Sequence, residues 1–348
     1  MKKVTIYDIA EKLQVSPATV TRALNNMPKV GEEKRRLIQK TAEEMGYIAN
    51  RAATLLSRKE VKIDVIIYGS IREFYHDIEE GIDAAYESLR DFNLKINKYV
   101  FDKSEYDDAF ICEEIRKAGN RGIDGLIIYS VSDTEEIALA IDELFRSGVQ
   151  VMIVNSDITT IYPHYIVRSD GEMAGRMAAE LLDWVVAGGN VCFFKGERNT
   201  GVLRHNNFGF EKEVAQRRLN IVGNFYDDGS AEKAMRFFKA FQATGMEIGG
   251  IYINSAVSGG ICDEMYKCGD LEQYKVVASD VSSGIVKYMR EGLVLATIFQ
   301  NPYKQGHDAC ERLFKIIAEK ETIERVKLIS PIILCRSNIE YYSKFISE

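Results

Sequence analysis

The sequence predicts a small all-α headpiece built around a helix-turn-helix, followed by a two-lobed α/β core of parallel sheets. Three observations predict it. Residues 5–24 carry two helix-start signals separated by a tight turn. From Val61 onward, short apolar strands alternate with amphipathic helical stretches, the pattern of parallel sheets covered on both faces. That alternation runs as two successive series, and a length of 348 residues suggests about two or three domains.

The elements follow in order. Thr5 with Asp8 three residues on makes a capping-box-like start, and Ile6, Ile9, Ala10 and Leu13 then repeat along one helical face. Ser16 can cap the next helix while Pro17 occupies its first position, where a missing amide proton costs nothing. Val20 and Leu24 turn inward, leaving Pro17, Ala18, Thr21, Arg22 and Asn25 outward. These are small residues apart from the arginine, so such a helix can sit deep in a groove. A third helix is expected from Glu32 to Met45, stopped by Gly46, with Leu37, Ile38, Thr41, Ala42 and Met45 inside. Asn50–Lys59 forms an amphipathic stretch of under three turns, too short to be helical alone in water.

In the remainder, strands are expected at Val65–Tyr68, Leu94–Phe101, Gly125–Tyr129 and Val149–Asn155. A second series follows at Asn190–Phe194, Ile221–Tyr226, Gly250–Asn254, Val276–Ser279 and Ala296–Phe299. Ligands of open α/β sheets bind beyond the carboxyl ends of the strands, so the residues just after these runs should line a cleft.

Charge divides the chain. Residues 1–60 carry 12 Lys/Arg against 7 Asp/Glu, a surplus of +5, which leaves −12 on the rest of a chain whose total is −7. A basic head on an acidic body suits a head that meets phosphate and a body that does not. Hydrophobic content of 46% without a long apolar run argues against membrane insertion. Two lysines at the N-terminus lack the apolar segment of a secretory signal behind them, so a cytoplasmic protein is expected. Six cysteines, without Cys-x-x-Cys or Cys/His ligand spacing, read as reduced core thiols, with no metal or cofactor expected. The four histidines also lack ligand spacing. No Gly-x-Ser-x-Gly, Walker A or dinucleotide fingerprint appears, so no catalytic residues are assigned and an enzyme is not expected.

Val4-Thr-Ile-Tyr-Asp-Ile-Ala, Val15-Ser-Pro-Ala-Thr-Val-Thr-Arg, Met45-Gly-Tyr-Ile and Asn50-Arg51 together resemble the headpiece of the lactose/galactose repressor (LacI/GalR) family. The two lobes resemble that family's periplasmic-binding-protein-like core through Ser169-Asp170-Gly171, Val277-Ala-Ser-Asp280 and Thr297 to Gly306. The resemblance implies that Pro17, Ala18 and Arg22 read base edges while Thr5, Ser16, Thr19 and Thr21 meet phosphate. Asn25, Asn50 and Arg51 are further contacts. It also implies that Leu56, with Ala53 beside it, wedges a minor-groove base step; the sequence alone equally allows Leu55 and Leu56 to pack hinge helices of two protomers together. In the cleft it points to Ser70, Phe74, Tyr129, Asp157, Arg204, Asn254, Asp280 and Gln300, a set suited to the hydroxyls and ring face of a sugar. For Ser70, Phe74 and Tyr129, packing at the rim is an equal alternative.

Four positions depart from the family pattern. Gln14 replaces the turn glycine, Gly31 a capping serine, Ala49 a proline before the hinge, and Ser279 an aromatic before Asp280.

The implied organisation is a headpiece at 1–48, a hinge helix at 49–60, a first lobe of 61–158 plus about 293–320, and a second lobe of 159–292 plus about 321–348. The implied function is a transcriptional repressor that binds palindromic double-stranded operator DNA as a homodimer, under allosteric control by a small effector, a sugar or polyol. It would be nucleoid-associated when DNA-bound. Two alternatives are the same DNA role under a protein co-regulator, and a soluble sugar-binding receptor, which would have no use for residues 1–60.

Overall fold

A computed structural model describes residues 4–24, 29–47, 60–196 and 201–342. The chain separates into two compact units, Met1–Arg58 and Lys59–Glu348.

The first unit holds α1 (Ile6–Leu13), α2 (Pro17–Leu24) and α3 (Glu32–Glu44). The capping box forms: Thr5 Oγ1 accepts the Asp8 amide at 3.4 Å, and Asp8 Oδ2 accepts the Thr5 amide at 2.6 Å. Ser16 Oγ accepts the Thr19 amide at 3.1 Å, which starts α2 around Pro17. Ile9, Ala10, Val20, Ala23, Ile38 and Ala42 form the buried centre. Two details differ from expectation. Ala23 is fully buried and Leu24 only partly so, and Leu37 is 54% exposed. Ile38, Thr41, Ala42 and Met45 already complete an i, i+3, i+4, i+7 stripe, and Leu37 lies 100° off its leading edge. Past α3, Gly46 takes φ +67° and the Tyr47 amide returns to the Ala42 carbonyl at 2.9 Å, a helix stop of the expected kind.

The second unit contains two six-stranded sheets. The first is built from β1 (Val61–Gly69), β2 (Leu94–Asp102), β3 (Gly125–Ser130), β4 (Gln150–Val154), β5 (Tyr165–Ser169) and β11 (Val326–Ile329), in the order β11-β5-β4-β3-β1-β2, all parallel. Around it pack α4 (Arg72–Leu89), α5 (Asp108–Asn120), α6 (Glu135–Arg146) and α12 (Pro302–Phe314). Successive strand residues point to opposite faces, so Ile63, Val65 and Ile67 enter one core cluster while Ile66 and Tyr68 enter the other.

The second sheet runs β12-β10-β9-β8-β6-β7, from β6 (Gly189–Lys195), β7 (Leu219–Tyr226), β8 (Gly250–Asn254), β9 (Lys275–Ser279), β10 (Val294–Phe299) and an antiparallel edge strand β12 (Ile332–Leu334). Its helices are α7 (Gly171–Val186), α8 (Gly201–Val214), α9 (Ala231–Gln242), α10 (Ser258–Lys267) and α11 (Ser283–Glu291).

This topology corrects the expected lobe boundaries. The stretches 159–169 and 326–329 belong to the first lobe, because β5 pairs with β4 and β11 pairs with β5. Residues from 293 to 299 belong to the second, because β10 pairs with β9. The chain therefore crosses between lobes three times, after Ser169, after Phe299 and after Ile329, always from the same edge of each sheet.

One helix crossing in each lobe depends on glycine. A Cβ on Gly306 of α12 would stand 2.0 Å from the Ile78 carbonyl oxygen of α4, and one on Gly81 would stand 2.0 Å from that of Tyr303. In the second lobe, Gly175 of α7 and Gly209 of α8 meet backbone at 2.1 Å in the same reciprocal way. Both crossings bring helix backbones closer than any side chain permits, and α4, α8 and α12 all begin at the cleft.

Candidate nucleic-acid interface and ligand cleft

In the headpiece, burying Val20 and Ala23 leaves Ala18 and Arg22 exposed on the opposite face of α2. Thr5 and Ser16 are also exposed, while Pro17, Thr19 and Thr21 are half-buried. The hydroxyls are partly engaged: Ser16 and Thr19 bond each other at 2.8 Å, and Thr21 donates to the Pro17 carbonyl at 3.0 Å. Tyr7, which sequence reasoning passed over, is 68% exposed beside Thr5. Its signal was a large aromatic off the apolar stripe of α1. Asn25, Asn50, Arg51, Ala53 and Leu56, like Leu55 and Ala49, lie outside the described residues.

In the core, the strand ends of both lobes enclose a cavity of about 190 Å³ of water-sized space. Ser70 and Phe74 follow β1, Tyr129 ends β3, and Asn155, Ser156 and Asp157 follow β4; from the other lobe come Leu203, Asp227 after β7, Ala256 after β8, Asp280 after β9 and Gln300 after β10. This is where parallel sheets place their ligands, because the loops there are free of the pairing that occupies strand interiors. Six of the eight expected residues line it: Ser70, Phe74, Tyr129, Asp157, Asp280 and Gln300.

The other two do not. Asn254 is buried and spends its amide on Asn207 Oδ1 at 2.8 Å and the Leu203 carbonyl at 3.4 Å, so it anchors the start of α8. Arg204 is an exposed residue at the rim, 3.9 Å from Asp133 of the first lobe, and its neighbour Leu203 supplies the wall instead. Ser279 is also structural, donating to the Ile253 carbonyl at 3.1 Å. Asn155, Asp227, Asp133 and Lys103 were missed. The strand-end rule points at all four, since Lys103 directly follows β2 and Asp133 lies three residues after β3.

Asp280 and Gln300 form a fixed pair between neighbouring strand ends. Asp280 Oδ2 accepts the Gln300 side-chain amide at 2.6 Å and Oδ1 accepts its backbone amide at 3.3 Å. Asp280 opens only partly onto the cleft, and burial pushes its carboxyl up to about 6 against the pull of those two donors. Burial, then Glu80, then Asp280 push Asp77 of α4 up to about 7. The Tyr129 hydroxyl is raised by burial and by Asp280. Phe74 and Tyr129 stand with ring centroids 5.9 Å apart. Asp157 joins the lobes, 2.7 Å from His205 Nε2 and 3.4 Å from Arg168 Nε.

Elsewhere, Cys112, Cys192, Cys262 and Cys310 are buried free thiols, Cys335 is half-buried and Cys268 is exposed. One group with metal-like spacing, His307, Asp308 and Glu311 on α12, already has its carboxylates paired with Lys304 at 2.5 Å and Lys315 at 2.7 Å. No helix among the described residues is long and apolar enough to cross a membrane.

Comparison with known proteins separates the two units as the structure does. Residues 63–321 match the periplasmic binding protein domain, and residues 5–50 match the family described as bacterial regulatory proteins, lacI family. The chain belongs to the periplasmic binding protein domain family through residues 63–321, and carries a lacI-family headpiece at residues 5–50. Its lacI-type headpiece and periplasmic-binding core are shared, in part or whole, with named transcriptional regulators. It is 30% identical to catabolite control protein A of Priestia megaterium over 44% of each chain. It is 24% identical to the regulator pepR1 of Lactobacillus delbrueckii subsp. lactis over 94% of this chain and 95% of that one. The matches to the first relatives span about half of their length, 44% for catabolite control protein A and 52% for DegA of Bacillus subtilis. In fold, the core resembles a periplasmic ribose ABC transporter protein from Conexibacter woesei, with a TM-score of 0.72 at 18% identity over 82% of this chain and 95% of that one.

Proposed function

We propose that this protein is a transcriptional repressor that grips palindromic operator DNA as a homodimer and is switched by a small sugar or polyol in its cleft. It would act in the cytoplasm, at the nucleoid when bound. The observation that carries this reading is the outer face of α2, where Ala18 and Arg22 stand exposed on a helix whose capped start can approach phosphate. Arg22 can donate two parallel hydrogen bonds to guanine O6 and N7, and the Ala18 methyl can meet a thymine methyl. The hydroxyls of Thr5 and Ser16, with the first amides of α2, suit phosphate oxygens. Thr19 and Thr21 would approach phosphate from the same helix, and Pro17 would fill the groove at the helix start. Asn25, Asn50, Arg51, Ala53 and Leu56 would extend the contact toward the minor groove.

The cleft supports the second half of the reading. It is formed by both lobes, so a ligand touching both favours one lobe arrangement over another, and only such differential affinity can act on DNA binding. The names of the relatives, regulators throughout, agree with this role.

The test is selection of binding sites from random duplex DNA, followed by titration of the winner at several salt concentrations. A palindromic site and affinity falling steeply with salt are expected. Arg22→Ala should cost about 1–3 kcal/mol on the selected site and relax the preference at one base pair per half-site. Unchanged selectivity in that variant would exclude this interface.

A further inference from the structure

The charged members of the cavity wall are Asp133, Asp157, Asp227, Asp280 and Lys103, four carboxylates against one amine. Asp157 faces Arg168 and pairs with His205, Asp133 faces Arg204, and Asp227 accepts the Gly229 amide and the Ser255 hydroxyl. The amine leans outward, with Lys103 Nζ 3.8 Å from Asp108 and over the Tyr68 ring. Among the described residues Asp280 has the neutral amides of Gln300 for partners, and Asp77 of the opposite lobe repels it.

An independent observation concerns Asn155. It is 7% exposed, lines the same cavity, and its Oδ1 has no partner among the described residues. Its backbone sits at φ 45°, a left-handed conformation uncommon outside glycine, so a buried acceptor is held in place at some cost. Among the described residues, the cavity wall thus carries more acceptors and negative charge than positive charge. Phe74 and Tyr129 add aromatic faces, whose quadrupole attracts cations.

We propose that the effector is a polyol carrying a protonated amine, an amino sugar or amino alditol, with its ammonium drawn to Asp280 and its other donors meeting acceptors such as Asn155 Oδ1. This specification rests on the reading of the cleft as a small-polyol site. A neutral sugar offers hydroxyl donors to the same acceptors but leaves the charge on Asp280 unanswered.

The experiment is calorimetric titration of the full-length protein with matched pairs: glucosamine and glucose, galactosamine and galactose, mannosamine and mannose. In at least one pair the amine should bind about tenfold tighter, the scale of a hydrogen bond to a charged partner. The advantage should shrink to within about twofold in Asp280→Asn, an isosteric change that the left-handed backbone there tolerates. If that variant fails to fold, the wild type carries the test: near pH 6, amine binding should release protons as Asp280 ionises, read from buffers of different ionisation enthalpy, and sugar binding should release none. Neutral sugars binding as tightly as their amines in every pair would overturn the proposal and leave the polyol site standing. If no probe binds at about 10 mM, the polyol reading itself falls and the amine with it.

Discussion

Gln14 shows how much a single residue can store. It closes α1 at φ 50°, ψ 45°, with its amide reaching back to Glu11 and the Val15 amide to Ala10. A non-glycine residue here carries a steric cost that glycine does not, and the helix-turn-helix needs the left-handed turn regardless. Gln14→Gly should therefore stabilise the headpiece by roughly 0.5–1 kcal/mol, read as slower hydrogen exchange of headpiece amides in the full chain. Asp280 stores a different cost. Its carboxyl is raised to about 6, so the fold favours the protonated form, and stability from this group is greatest below the ordinary carboxylate range and is lost as pH rises through about 6. Asp77, raised to about 7, acts in the same direction. From these two groups the unliganded protein should lose melting temperature as pH rises from about 4 to about 7. Asp280→Asn should flatten that slope by on the order of 1–2 kcal/mol, a figure discounted for partial exposure.

The helices that frame the cleft meet backbone to backbone at one glycine pair in each lobe, in addition to the side chains they bury together. Gly306→Ala forces a methyl to 2.0 Å from the Ile78 carbonyl and should cost about 3 kcal/mol or more, with α4 and α12 moving apart; chemical denaturation checks the first and weakened ligand binding the second. Most elements were legible because their signals are local. The caps at Thr5 and Ser16 and the stop at Gly46 are read from three or four residues each, and apolar runs such as Val65–Tyr68 leave little choice. The strands that were missed, β5, β11 and β12, are three to five residues long, and Tyr165-Ile-Val-Arg-Ser has no clean alternation. Their identity comes from pairing with distant strands, and missing β5 and β11 misplaced the boundaries at 159–169 and 326–329; the strand at Ala296–Phe299 was found but its sheet is set by pairing with β9. The cleft followed the same rule. Residues at strand ends, such as Ser70 and Gln300, could be found, whereas whether Asn254 faces a ligand or Asn207 depends on a rotamer no sequence reveals.

At the scale of the whole molecule, the headpiece carries a positive surplus and the core a negative one, a division that suits the proposed meeting of the head with DNA phosphate. One headpiece of three short helices recognises few base pairs, so palindromic recognition requires two chains. Analytical ultracentrifugation should show a dimer at micromolar concentration, and a monomer that still binds a palindrome with full affinity would contradict that arrangement. The three crossings that leave the same edge of both sheets have a mechanical corollary. Three straps side by side act as an axle: they resist sliding and twisting of the jaws they join and yield only to opening. Gln300 lies on one strap and Asp280 is bonded to it, so a guest seated there works close to the pivot. A change of an ångström in its girth would be magnified at the jaw tips, making the device a gauge of what it holds.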